Sequence, residues 1–375
     1  MSLAPAIPAA DPAQDERFMA LALALGRRSL GRAWPNPAVG AVVVKDGVIL
    51  GRGWTKAGGR PHAETEALKA AGKAARGATM YTTLEPCSHQ GKTPPCTDAI
   101  IRAGLVRVVS ALEDPNPEVA GQGHARLRAK GIVVDIGLLA EEARQAHVGH
   151  IRRIAEGRPQ VLLKLAISAD GKVGALGRKP IAITADAART EVSLLRARND
   201  AILVGVGTVL SDNPSLTCRL PGMMGYSPVR VVLDAQLRTP LSYSVIATAR
   251  ETPTWVVCAP AASAMAEQVL RDKGAEVLRV EANAGRFDLA QLLKALAERG
   301  ITRLMVEGGP TVAASFVKAD LIDEVTLFRS LKTIGPDGID ALEGLPLTAL
   351  TQSPRLKSHG SVQVGADTME HFERV

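Results

Sequence analysis

The spacing of apolar side chains changes repeatedly along this chain, and each change marks an element. Residues 15–30 (DERFMALALALGRRSL) bring apolar positions round every three or four residues, which predicts a helix. After a WPNPAVG turn, AVVVKDGVILGRG reads as two strands folded back at Asp46-Gly47, a pair suited to a tight hairpin turn. A helix over 62–75, a strand over 79–84 and a helix over 97–103, opening behind Pro94-Pro95, come next. A strand over 106–112 and a helix–strand pair between 123 and 136 complete the first alternation. A charged helix over 141–158 closes at Gly157 and Pro159, and the pattern restarts. Strands are expected at 161–168, 201–206, 229–233, 254–259 and 303–306, with helices at 185–198, 261–274 and 289–300. Strands alternating with helices make both halves α/β.

A chain of 375 residues exceeds what one core usually serves, so two domains are expected: a loose tail over 1–14, then 15–155 and 156–375. The opening MSLAPAIPAADP has no basic start and reads as a tail rather than a signal peptide. No apolar run approaches bilayer length, which places the chain in solution with no membrane role. Its four cysteines are too few for a disulfide framework. Cys87 and Cys96 lie close together while Cys218 and Cys258 stand apart, so a reducing cytoplasm with a metal at the close pair fits best. Net charge is +7, of which residues 1–155 carry +6. A basic first domain suits an anionic small substrate or nucleic acid, or is simply a solvated surface. With 3% aromatic residues, a base-stacking platform for nucleic acid is not expected.

The sharpest chemistry is His62-Ala63-Glu64, followed by Pro86-Cys87 and then Cys96. One imidazole and two thiolates fill three positions of a tetrahedral zinc and leave the fourth for water. Two thiolates cancel the ion's charge, yet it still acidifies bound water. Both cysteines fall at expected helix starts, where backbone N–H groups favour thiolate. Glu64, two positions after His62, is placed to move protons as general base and acid. H-x-E…P-C-x-x-C is the zinc-deaminase signature. Here eight residues (SHQGKTPP) separate the cysteines where that signature has two. The other reading is a closed structural zinc site, for which His89 is the obvious fourth ligand.

The runs PNPAVGAVVVKDG, RPHAE, TLEPCSHQGKTPPC and EDPNPEVAGQG resemble the bifunctional deaminase–reductases of riboflavin biosynthesis, in which the long insert between the cysteines is the family's own pattern. KLAISADGK, LLRARNDAILVGVGTVLSDNPSLTCR, VRVVLD and VEGGPT extend the resemblance over nearly the whole chain. It implies a three-layer α/β/α domain similar to cytidine deaminases, then an α/β domain similar to dihydrofolate reductase. The first would hydrolyse the 2-amino group of 2,5-diamino-6-(5-phosphoribosylamino)pyrimidin-4(3H)-one; the second would reduce the ribosyl group to ribityl with NADPH. By the same resemblance His62, Cys87 and Cys96 hold zinc and Glu64 shuttles protons. Asn36 meets the pyrimidine, since an amide can donate and accept at once, although an Asx-Pro turn explains it equally. Asp114 and Asn116 touch the ribose phosphate end, or else make a turn. The family also implies a homodimer or larger, through the second domain.

In the second half no G-x-G-x-x-G follows a strand. Instead Glu307-Gly308-Gly309-Pro310-Thr311 stands between the strand RLMV and a helical run, where glycines let backbone approach a pyrophosphate. An ordinary β–α turn reads the same way. The resemblance implies NADPH contacts at Gly309, Pro310, Thr311, Val312, Ala313, Ala314 and Ser315, and at Ala166, Thr208 and Asp212, with Glu307 on the substrate side. Lys164 within an apolar strand needs a partner or a job, unless its amine reaches water. The resemblance pairs it with Asp212 near the ribosyl group, where hydride arrival makes an amine or an alkoxide that must be protonated. It also places Arg196, Leu216 and Arg219 against the substrate; single arginines are otherwise often surface ion pairs. Pro180 and Ala182 depart from the family, which often has Ser and Trp there. Two further readings keep the deaminase with a second domain that only binds or dimerises, or make the chain a structural-zinc module with a nucleotide-sensing domain.

Overall fold

The computed structural model describes residues 11–117, 119–175, 177, 181–283 and 285–375, and its contacts divide the chain after Gly157 into two compact units. The first is built on a five-stranded sheet: β1 (Gly40–Lys45), β2 (Val48–Trp54), β3 (Thr79–Thr82), β4 (Arg107–Ser110) and β5 (Val133–Ile136). Spatial order is β2-β1-β3-β4-β5, with β1 antiparallel to both neighbours and β3, β4 and β5 parallel. The β1–β2 hairpin turns at Asp46 and Gly47, both at positive φ (50° and 74°), as the Asp-Gly pair predicts.

Among the described residues five α-helices accompany this sheet: α1 (Pro12–Gly26), α2 (Ala63–Ala71), α3 (Cys96–Ala103), α4 (Gln122–Arg128) and α5 (Ala140–Glu156). Helix α1 begins inside the stretch expected as a tail. Asp11 caps it by accepting from Ala13 N and Gln14 N, and Pro12 occupies the first turn, so the Asp-Pro pair is a start signal rather than a linker. Residues 1–10 of that expected tail lie outside the described residues. The 62–75 pattern divides into α2 and a 3-10 turn over Gly72–Ala75.

Helices α1 and α2 lie on opposite faces, and glycines set how close they come. Ala41 and Gly53 are cross-strand partners and share a face, while Gly40 points to the other. A Cβ at Gly53 would lie 2.0 Å from Ala63 O, and one at Gly51 2.1 Å from Ala67 O. Helix α2 therefore rests on bare strand backbone. On the opposite face α1 is tied down by charge. Arg107 at the start of β4 donates from Nη1 and Nη2 to the Asp15 carboxylate (2.9 and 2.7 Å) and from Nε to Asp135 Oδ2 (2.7 Å). The Tyr81 hydroxyl donates to Asp15 as well. Burial would raise the Asp15 carboxyl, but the Arg107 and Tyr81 hydrogen bonds and the Arg107 charge hold it below its ordinary range.

The second unit has a nine-stranded sheet. Its strands are β6 (Gln160–Ile167), β8 (Ala201–Gly205), β9 (Val229–Leu233), β10 (Thr254–Cys258), β11 (Glu276–Arg279), β14 (Arg303–Val306), β15 (Glu324–Arg329), β17 (Leu356–Val364) and β18 (Asp367–Arg374). Two small ribbons stand outside it: β7 (Lys172–Gly174) with β16 (Ile339–Asp340), and β12 (Ala282–Asn283) with β13 (Arg286–Phe287). The helices are α6 (Asp186–Arg198), α7 (Val206–Asp212), α8 (Ser244–Ala247), α9 (Ala264–Asp272), α10 (Leu289–Glu298), α11 (Pro310–Lys318) and α12 (Thr348–Thr351).

Sheet order is β11-β10-β9-β8-β14-β6-β15-β18-β17, parallel except at the β15–β18–β17 edge. From β8 the chain runs through α7 outward to β9; from neighbouring β14 it runs through α11 past β6 to β15. Connections that leave adjacent parallel strands in opposite directions open a crevice at their carboxyl ends, where ligands bind in such sheets. The turns after β8 and β14 close on each other, since a Cβ at Gly308 would lie 2.9 Å from Val312 Cβ and one at Gly205 2.9 Å from Val312 Cγ2.

Two outcomes test these contacts. Gly53→Ala overpacks α2 against β2 and should lower stability by about 1–3 kcal/mol, with zinc per chain falling in elemental analysis. Asp15→Asn should cost about 3 kcal/mol at neutral pH, read as faster hydrogen exchange in α1. Because the folded carboxyl binds its proton more weakly than the unfolded one, the gap to wild type should persist above about pH 4 and close below it.

Candidate active sites

In the first unit His62 caps the start of α2 and Cys96 is the first residue of α3. Cys87, expected at a helix start, sits instead in the loop after β3. The electrostatic expectation survives by another route, because the Cys96 backbone N–H at the head of α3 donates to Cys87 Sγ at 3.3 Å. His62 Nδ1 lies 3.3 Å from Cys96 Sγ and 3.6 Å from Cys87 Sγ. All three donor atoms are within 4.8 Å of one another. That set suits zinc with one position open. His89, the fourth ligand of a closed site, is exposed and stands outside this cluster.

The two thiols are shifted in opposite directions. Hydrogen bonds from Cys96 and His62 hold Cys87 down to about 4, whereas the Cys87 contact and burial push Cys96 well up. Glu64 is 3% exposed, and burial raises its carboxyl to about 7 against the opposing pull of His62. On the far side of the imidazole, Asn36 Nδ2 lies 3.1 Å from His62 Nε2 and donates to Gly59 O at 3.0 Å.

Asp114 and Asn116 form a turn, Asn116 N donating to Asp114 Oδ1 at 2.9 Å. Its anchor is Glu85, which sequence reasoning passed over. Glu85 Oε2 accepts from Asp114 N (3.1 Å) and Gly121 N (2.9 Å), and Oε1 from Gly123 N (2.7 Å) and His124 N (3.2 Å). A carboxylate set in the apolar run before Pro86 was the available signal, because a buried charge needs several donors. Burial raises the Asp114 carboxyl, and His150 on α5 faces it at 4.0 Å.

In the second unit the crevice is a cavity of about 400 Å³ lined by Lys164, Ala166, Arg196, Thr208, Asp212, Leu216, Glu307, Gly309 and Pro310 among others. Lys164 has the partner its position demanded, but that partner is Glu307: Nζ donates to Oε1 at 3.2 Å. Arg196 holds the same carboxylate from Nε (3.0 Å) and Nη2 (2.9 Å), and its Nη1 donates to Thr217 O at 3.1 Å. Burial works to raise Glu307, and the two cations outweigh it and keep it ionised. Asp212 accepts from Ser211 Oγ at 2.6 Å and is exposed at the cavity, with no bond to Lys164. Arg219 is exposed and donates to Ser215 Oγ at 3.1 Å, outside the lining.

A second cavity of about 420 Å³ continues from the first, sharing Gly207, Thr208 and Gly309 and adding Thr311, Val312 and Ser315. Ala313 and Ala314 are buried on the inner side of α11 and line neither cavity. Ala182 lines the first cavity, while Pro180 lies outside the described residues. Arg189 and Ser211 also line it, and no sequence pattern singled them out.

Known proteins resemble both halves. Residues 12–112 match the cytidine and deoxycytidylate deaminase zinc-binding region, and residues 159–369 match the RibD C-terminal domain. The riboflavin biosynthesis protein RibD of Aquifex aeolicus is 42% identical, over 96% of this chain and 98% of that protein. That of Escherichia coli is 40% identical over 96% and 99%. The solved structure of Acinetobacter baumannii RibD superposes with a TM-score of 0.86 at 34% identity, covering 97% of this chain and all of that one. A Thermotoga maritima diaminohydroxyphosphoribosylaminopyrimidine deaminase/5-amino-6-(5-phosphoribosylamino)uracil reductase does so at 0.83 and 36% identity, covering 97% and 99%. The likeness runs through both units at once, so the cytidine-deaminase-like first half and the dihydrofolate-reductase-like second half are one inherited arrangement, and the chain belongs to the bifunctional RibD family of riboflavin biosynthesis.

Proposed function

We propose that this chain catalyses two successive steps on one phosphorylated pyrimidine. The first unit deaminates 2,5-diamino-6-(5-phosphoribosylamino)pyrimidin-4(3H)-one to the uracil derivative. The second reduces that product's ribosyl chain to ribityl with NADPH. The observation that carries this reading is the His62, Cys87 and Cys96 donor set beside buried Glu64, in a chain whose other half contains a cation-lined crevice.

His62, Cys87 and Cys96 would hold the zinc, which supplies a Lewis acid that makes water a nucleophile at neutral pH. Glu64 takes the first proton as water adds to C2 and passes it to the ring nitrogen; it then takes the second proton from the new C2 hydroxyl and passes it to the amino group, which leaves as ammonia as the C2–N bond breaks and the carbonyl forms. Asn36 backs His62 and offers its amide to the pyrimidine edge. The turn held by Glu85 presents Asp114 and Asn116 to the ribose.

In the second unit the lining shared by the two cavities, Gly207, Thr208 and Gly309, would hold NADPH, which would supply a hydride for the ribosyl C1′. As the bond from C1′ to the ring oxygen breaks, that oxygen needs a proton. Lys164, fixed by Glu307 at the cavity wall, is the donor we assign. Arg196 positions Glu307 and through it Lys164, beside the substrate contact expected of it. Asp212, at the exposed end, is assigned to returning protons from water. Assembly into a dimer would use the second unit, whose edge strand β17 is exposed along most of its length.

Incubating the full chain with the diaminopyrimidine phosphate, zinc and NADPH should raise the substrate mass by about one unit, as amine becomes carbonyl, and then by about two on reduction. Glu64→Gln should keep zinc while ammonia release falls at least about 100-fold; unchanged turnover would remove the deaminase reading. Lys164→Met should leave deamination intact and lower the NADPH-dependent step about 100-fold in kcat with little change in NADPH affinity, followed by absorbance at the nicotinamide band.

A further inference from the structure

Helix α5 places His147, His150 and Arg153 at successive i, i+3 positions, neighbours along one face. Elsewhere the helix carries ordinary surface pairs, Arg144 with Glu141 and Arg152 with Glu156. The histidines do not fit that pattern: His147 is 2% exposed and the His150 side chain 11%. A helix that only covered a sheet would be more stable with apolar residues at both, because a buried imidazole gives up its solvation.

Each of the three reaches a segment that the deaminase reading uses. Arg153 Nη1 donates to Pro35 O at 3.3 Å, one residue before Asn36. His147 Nε2 lies 3.0 Å from Thr83 Oγ1, which accepts from Gly40 N at 3.1 Å. The helix is thereby fixed to the head of β1, where the turn bearing Asn36 enters the sheet. His150 Nε2 faces Asp114 Oδ1 at 4.0 Å, and neither of its ring nitrogens has a hydrogen-bond partner among the described residues. Burial and the Arg153 charge push this imidazole down to about 4, so it stays neutral beside the Asp114 carboxyl.

None of the donor atoms of the His62, Cys87 and Cys96 set comes from α5. What the helix touches are the backs of the two turns that carry Asn36 and the Asp114–Asn116 pair. We propose that Arg153 and His150 are positioning residues of the deaminase. Arg153 sets the Asn36 turn through Pro35 O, and His150 backs the Asp114 turn, so together they govern how tightly the phosphoribosylated pyrimidine is held. The inference rests on the deaminase reading above and adds a third wall to that site, built from a helix that holds neither metal nor reacting atoms. A turn displaced by a fraction of an ångström misplaces the groups that orient a substrate without altering the chemistry itself.

Ammonia release from the diaminopyrimidine phosphate is followed on the full zinc-loaded chain and on Arg153→Met, Arg153→Lys, His150→Phe and the Arg153→Met/His150→Phe double variant. Phenylalanine keeps the ring and removes its nitrogens. The double variant should raise KM about tenfold with kcat within about twofold, and Arg153→Lys, which can still donate to Pro35 O, should recover most of the Arg153→Met loss. Zinc per chain should not change, and the NADPH-dependent step on separately supplied deaminated product should run as in the wild type. Ile151→Ala trims an apolar contact of the same helix with the core, so it should lower the unfolding temperature and leave KM alone. A KM that stays put in the double variant, that rises equally in Ile151→Ala, or that rises only with loss of zinc overturns the proposal and leaves the deaminase reading in place. A wild-type chain that releases no ammonia removes that reading, and the positioning role with it.

Discussion

The deaminase site depends on how closely a helix can lie on a strand. Helix α2 carries His62 at its cap and Glu64 in its first turn, and it sits against β2 where Gly51 and Gly53 offer no side chains. Closer than ordinary helix-on-sheet packing, this contact sets the height of the imidazole above the sheet. The loop after β3 and the head of α3 then bring the sulfurs to it. A ligand set of this kind tolerates little error, since zinc–donor distances are fixed to a few tenths of an ångström. Two glycines that carry no donor atom, Gly51 and Gly53, therefore help to place the His62, Cys87 and Cys96 donor set.

The reductase crevice is organised by charge. Glu307 sits at the end of β14 between Lys164 on β6 and Arg196 on α6, so a single carboxylate links three elements around the topological switch point. Burying such groups costs several kcal/mol apiece unless each is paired. The pairing here gives two cations to one anion, leaving a net positive wall that suits a phosphorylated polyol. It also explains why a lysine persists in a strand that, Gln160 apart, is otherwise made of Val, Leu, Ala and Ile.

Much of this was legible beforehand. The alternation of helices and strands, the Asp46-Gly47 turn, and the clustering of His62, Cys87 and Cys96 all follow from local pattern and motif spacing. Missed features have a common cause, which is that they are made by long-range contacts. Residues 12–14, expected as part of a loose tail, are the exception: their cap, Asp11, is local but stands beside Ala- and Pro-rich residues. Strands β17 and β18 carry mixed apolar and polar positions, since they build an antiparallel edge that is largely exposed along β17. Lys164 announced a missing partner, yet no spacing rule could choose Glu307 over Asp212 from across the chain. Nor could a motif show that Ala313 and Ala314 face inward while Thr311 and Ser315 face the cavity; helical phase settles that only once the sheet is in place.

The Lys164–Glu307–Arg196 grouping also bears on chemical intervention. A flat, greasy compound pressed into that crevice would strip water from the ammonium and guanidinium and offer nothing in exchange, so its hydrophobic gain would be offset by lost solvation. Compounds rich in hydroxyls or bearing an acid would avoid the penalty, which argues for sugar-like scaffolds over aromatic ones as starting points against this half of the enzyme.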